Sequence, residues 1–179
     1  RSSDLAATVW TFLAFALDAL AIAAQAVVGR DLGAGRVEQA RAVMRTLLRW
    51  GLLFGLAVGV LTAATASVLP RLFTSDPAVI GYAVPALLVV AVGQVVSGYV
   101  FVADGVLMGA GDFRYLAWAM VMTLAAYSPI VLFIRALGVW GEPGRVLVLL
   151  WGGYVAFMLG RAGSLAVRLR GDRWLIPGA

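Results

Sequence analysis

The sequence predicts an all-α fold, a polytopic transmembrane helix bundle of five spans. Three observations predict it. Of the 179 residues, 63% are hydrophobic and 13% charged, and the mean hydropathy is +0.96, more apolar surface than a water-soluble core of this length can hide. The apolar residues fall in five long blocks, each long enough to cross a hydrocarbon layer of ~30 Å. Short segments rich in Gly, Pro or charge separate the blocks, and no soluble domain, linker or low-complexity tract lies between them.

The first span covers residues 5–28 and ends at GRDLGAGR, Gly29 to Arg36, where glycines break the helical pattern. Roughly 24 residues at ~1.5 Å rise give ~36 Å, enough to cross with some tilt. A basic amphipathic opening, Val37 to Arg49, leads into the second span, residues 50–69. In PRLFTSDP, Pro70 to Pro77, Asp76 directly before Pro77 predicts a helix N-cap. The third span, residues 78–108, contains Pro85 and stops at GAGDFR, Gly109 to Arg114. Span four, residues 115–134, carries Pro129 as an expected kink. A connection holding Arg135, Glu142 and Arg145 precedes span five, residues 146–167, and RLRGDRW closes the chain as a polar, basic segment.

All 14 basic residues are Arg, and the chain has neither His nor Cys. Zinc, haem and thiol chemistry therefore lack their usual ligands, and the commonest general base is missing. The chain is read as no enzyme, without cofactor or metal. The net charge of +5 and pI near 10.4 do not indicate nucleic acid, because the Arg residues flank apolar blocks instead of forming a soluble basic face.

The same charges set orientation, since short cytoplasmic loops retain Arg. Arg30, Arg36, Arg41, Arg45, Arg49, Arg114, Arg168, Arg170 and Arg173 share one side, against Arg1, Arg71, Arg135 and Arg145 on the other. This asymmetry places the C-terminus in the cytoplasm. Five spans then put the N-terminus outside, yet the chain opens at Arg1 with no initiator Met and no signal peptide. The expectation is a chain from which at least one preceding span has been lost.

Asp18 is the leading functional candidate, because an ionisable group near the middle of a span costs about 2.5–3.5 kcal/mol by insertion scales. Gln25, seven residues on, shares its helical face, so the two are read as a proton-relay or substrate contact, with an interhelical packing contact as the alternative. Asp104 lies about a turn from the end of the third span, with Ser97 seven residues earlier on the same face and Gln94 preceding both. Together they form a candidate polar stripe, or else a helix-end contact. Asp112 is read as a turn residue. Arg161 either snorkels to the surface or pairs with one of the acids. The stripe of Arg41, Arg45 and Arg49 suits a surface that touches lipid headgroups. GRDLGAGR follows a helix and lacks the Lys and Ser/Thr of a phosphate loop, so it is a turn.

Taken together, LDALAIAAQAVVGRDLGAG, the basic helix start after it, RLFTSDP, and ADGVLMGAGDFRY resemble the multidrug and toxic compound extrusion (MATE) family, its DinF-like branch above all. The resemblance covers essentially the whole chain and implies helices eight to twelve of a twelve-helix transporter. The N-terminal lobe and one further helix are then absent from the chain, and that missing lobe is an expected partner.

The family implies secondary active export of amphipathic organic compounds across the inner (plasma) membrane. Entry of H⁺ or Na⁺ drives it, while the lobes rock about a shared cavity. In the DinF-like branch the acid tied to coupling sits on the first helix. In another branch, proposed cation ligands sit on the seventh helix and near the position of Ser97. Neither set is reproduced here, so H⁺ is expected over Na⁺ and Asp18 is the strongest candidate in the chain. The partners implied are membrane lipids and an amphipathic small molecule.

Three alternatives are distinguishable. A flippase of the same wider superfamily, moving an anionic lipid-linked precursor, needs cavity Arg, for which only Arg161 is a candidate. An enzyme of phospholipid synthesis needs a run of intramembrane Asp that is missing. A scaffold subunit would use Asp18 only as an interhelical contact.

Overall fold

Apolar runs of this length can satisfy their backbone groups inside a bilayer only as helices, and helices are what the chain forms. The computed structural model describes residues 2–136 and 143–176; Arg1 and Glu142, both weighed above, lie outside the described residues. Among the described residues the elements are α1 (Ser2–Gly33), α2 (Val37–Thr65), a 3-10 turn (Leu69–Leu72), α3 (Pro77–Gly109), α4 (Phe113–Ala136) and α5 (Pro143–Arg170). Among the described residues four stretches are long and apolar enough to cross a membrane: Val37–Thr65, Pro77–Gly109, Phe113–Phe133 and Gly144–Arg170.

The helices run past their apolar blocks. The basic opening of α2 is continuous with its span, and α3 and α4 continue through Pro85 and Pro129. At the start of α3, Asp76 accepts a hydrogen bond from the Ala78 amide at 2.9 Å, with Pro77 in the first turn where no amide hydrogen is needed.

Two near-identical tetrapeptides make the turns at one end of the bundle. Gly33-Ala34-Gly35-Arg36 follows α1, and Gly109-Ala110-Gly111-Asp112 follows α3. Gly35 and Gly111 both adopt φ +72°, which a side chain would resist. In each turn the amide after the glycine reaches back five residues, Arg36 to the Asp31 carbonyl at 2.8 Å and Asp112 to the Leu107 carbonyl at 2.9 Å. This pattern satisfies the last carbonyls of the helix.

Central helix α3 packs against α1, α2 and α5, and α4 rests mainly on α5. Small residues permit the close crossings, as they do wherever helices associate in lipid by packing alone. Gly51, Gly55 and Gly59 of α2 lie against the α3 backbone at Gly98, Gln94 and Ala91. A Cβ on Gly51 or Gly59 would sit 2.5 Å from a carbonyl oxygen of α3. Gly105 and Gly109 of α3 press in the same way on Ala21 and Gln25 of α1.

The buried face of α1 is Leu17, Ala21, Ala24, Val28 and Leu32, spaced by three or four as a helix requires. The closing RLRGDRW segment departs from its polar reading. It turns back so that Trp174, 1% exposed, and Leu175 join the core beside Leu165 and Leu169.

Candidate functional site

The inner face of α1 determines what its outer face can offer. With Leu17, Ala21, Ala24 and Val28 turned inward, Asp18 and Gln25 lie on an exposed strip with Phe15 and Ile22, which are 67% and 65% exposed. No hydrogen bond or ion pair reaches either polar side chain among the described residues. An acid and an amide two turns apart thus stand on the surface of this chain, at the level of its first apolar block.

The candidates on α3 have different surroundings. Gln94 and Ser97 are each 2% exposed, Gln94 lying against Gly55 and Gly59 of α2. The Gln94 Oε1 and Ser97 Oγ atoms find no hydrogen-bond partner there. Asp104, on the same face as Ser97, is joined to α5 instead: Arg161 Nη2 donates to Asp104 Oδ1 at 2.7 Å, and Arg161 Nη1 donates to the Leu116 carbonyl at 3.3 Å. Arg161 takes an acid as its partner and does not snorkel.

Two turns further along α5 the arrangement repeats. Arg168 Nε lies 2.6 Å from Asp112 Oδ2, and its guanidinium stacks 4.8 Å from the centre of the Tyr115 ring. Tyr115 Oη donates to the Ser164 carbonyl at 2.6 Å. Arg161 and Arg168 are seven apart and Asp104 and Asp112 eight apart, so two charged rungs clamp α5 to the end of α3 and the following turn. Asp104 is therefore occupied with an ion pair, whereas Asp18 is not.

Comparison with known proteins identifies the family. The MatE family pattern matches residues 3–136, three quarters of the chain. The chain belongs to the MatE family. Protein DETOXIFICATION 44, chloroplastic, of Arabidopsis thaliana is 32% identical over 168 residues, covering 93% of this chain and 31% of that protein. Multidrug and toxin extrusion protein 2 of Mus musculus is 28% identical over 159 residues, 86% of this chain and 26% of its own length. Probable multidrug resistance protein NorM of Haemophilus ducreyi is 35% identical over 88 residues, 49% of this chain and 19% of its own length. The chain thus spans about a third or less of the curated relatives it matches. No solved structure matches it. This MatE chain is a multi-pass membrane protein.

Two features of the MatE chain escaped the sequence reading. The first is Asp31, in the last turn of α1, whose side chain is fully buried with Arg36 Nη2 at 2.7 Å and Arg30 Nε at 3.5 Å. The hydrogen bond from Arg36 holds its carboxyl below the usual carboxylate range, against the opposing effect of burial. An Asp five residues before an Arg, across a left-handed glycine, was the available signal. The second is Trp174, hidden by the basic residues around it.

Proposed function

We propose that the chain is part of one transmembrane lobe of a secondary active exporter. The cargo is amphipathic organic compounds, drugs and toxins among them, and the exchange is a cation antiport with H⁺ as the coupling ion. In this reading the protein sits in the inner membrane with its C-terminus in the cytoplasm and works with a further lobe. Three of the matched relatives carry names that speak of detoxification, multidrug resistance or toxin extrusion.

The observation that carries the reading is the uncovered acid: Asp18 stands on the exposed strip of α1 with Gln25 while the acids of α3 and its following turn are held by Arg161 and Arg168. A carboxylic acid at that depth is costly to keep unless it faces a cavity or partner and exchanges a proton or touches cargo. Arg161, the residue the flippase alternative would draw on, is paired with Asp104 instead.

The test is efflux against an imposed pH gradient in the complete protein. Asp18→Asn keeps the shape of the side chain and removes its titration, so it should impair pH-driven efflux at matched expression, and Asp104→Asn should impair it less. Unchanged pH dependence in Asp18→Asn would retire the coupling role.

A further inference from the structure

The arginine-rich end of the bundle carries a cavity whose residues have no part in the export reading. Between α2 and α5, Arg41, Arg45 and Arg170 line a space of about 470 Å³ whose apolar side is formed by Met44, Leu48 and Leu169. Arg41 is already committed, with Nη2 at 2.9 Å from Asp172. Arg45 and Arg170 have no ion-pair or hydrogen-bond partner among the described residues. Two uncompensated guanidiniums facing one cavity favour an anion there.

The apolar side narrows the kind of anion. Met44 and Leu169 are 5% and 6% exposed, so the space is backed by packed hydrocarbon, which a small soluble anion cannot use and an acyl chain can. Arg41 to Leu48 is seven residues, about 10 Å along the helix axis, so the cavity descends from the basic start of α2 toward its apolar span. Basic pockets between helices at a membrane surface suit anionic lipid headgroups. We propose that this cavity is a discrete site for one anionic phospholipid, its phosphate between Arg45 and Arg170 and an acyl chain along Met44 and Leu48. Arg49 belongs to the same stripe of the sequence but does not line the cavity, which separates a built site from a diffuse basic surface. The proposal stands apart from the export reading.

The complete protein in neutral detergent, examined by native mass spectrometry, tests it with three probes: phosphatidylglycerol, phosphatidylcholine of the same chains, and glycerol 3-phosphate. One phosphatidylglycerol should be retained in preference to the other two. The double variant Arg45→Gln/Arg170→Gln should weaken its retention roughly tenfold or more, and Arg49→Gln should not. Leu48→Trp, which fills the apolar side and leaves all three Arg in place, should weaken it as well, and decides the matter if the double variant fails to fold. Failure to retain phosphatidylglycerol, equal retention of phosphatidylcholine, equal retention of glycerol 3-phosphate, or an equal loss in Arg49→Gln would each overturn the proposal.

Discussion

Arg161 and Asp104 are worth more together than either is alone. The Arg161 side chain is 5% exposed and that of Asp104 24% exposed, so removing either partner strands a charge in apolar surroundings. Breaking a buried pair from one side costs about 3–5 kcal/mol. Each of Asp104→Ala and Arg161→Ala should therefore destabilise the complete protein by about 3 kcal/mol, and the double variant by less than the two losses added. Thermal unfolding in detergent measures this, and strictly additive losses would show that the pair carries no coupling.

Asp31 makes a prediction of the opposite kind, in pH. Its carboxyl is held below the ordinary value of 3.8 by the hydrogen bond from Arg36. That contribution to stability is fully present above the unfolded value and is lost as pH falls through the folded one. The stability advantage of the wild type over Asp31→Asn should be constant near neutrality and shrink on acidification below about pH 3.8. A gap that persists unchanged into strong acid would assign the effect to shape instead of charge.

At the scale of the helix, the α2 and α3 crossing depends on what is missing from side chains. A Cβ on Gly98 would run into the Gly51 carbonyl, and one on Gly55 into the carbonyl of Gln94. Backbone cannot yield as a side-chain tip can, so Gly98→Ala and Gly55→Ala should each cost about 1–3 kcal/mol through overpacking. Gly163→Ala, on α5 with nothing within 4 Å, should be neutral or slightly stabilising. Unfolding temperatures of the three variants check this, and equal behaviour would deny the close crossing.

The same contrast explains what the sequence made legible. Helix positions follow from apolar length and from local signals such as the Asp76 cap, because both are properties of consecutive residues. Which acid Arg161 meets depends on how α3 and α5 are registered, and packing between elements 57 residues apart sets that. The shared face of Asp18 and Gln25 was legible from their spacing alone. The burial of Gln94 was not, because it depends on Gly55 and Gly59 of α2 lying against it.

At the scale of the whole molecule, contacts between distant segments show which ends lie together, and charge then orients them. Arg41 meets Asp172 at 2.9 Å and Arg168 meets Asp112 at 2.6 Å, so the start of α2, the turn after α3 and the end of α5 share one end of the bundle. That end collects nine of the 14 Arg residues. Arg in short loops is retained on the cytoplasmic side, while acids contribute little to the choice, so the salt bridges formed there do not cancel the bias. Ala34, Ser75 and Gly171 are exposed in turns or tails, and the chain has no cysteine of its own to compete for label. Single cysteines introduced at Ala34 and Gly171 in the complete protein, with any other thiols removed, should react with an impermeant maleimide only from the cytoplasm, and one at Ser75 only from outside. Labelling of all three from the opposite faces would reverse the orientation and leave the fold intact. Labelling of Ala34 and Gly171 from different faces would contradict the fold itself, because the Arg41 to Asp172 contact requires α2 to begin where α5 ends.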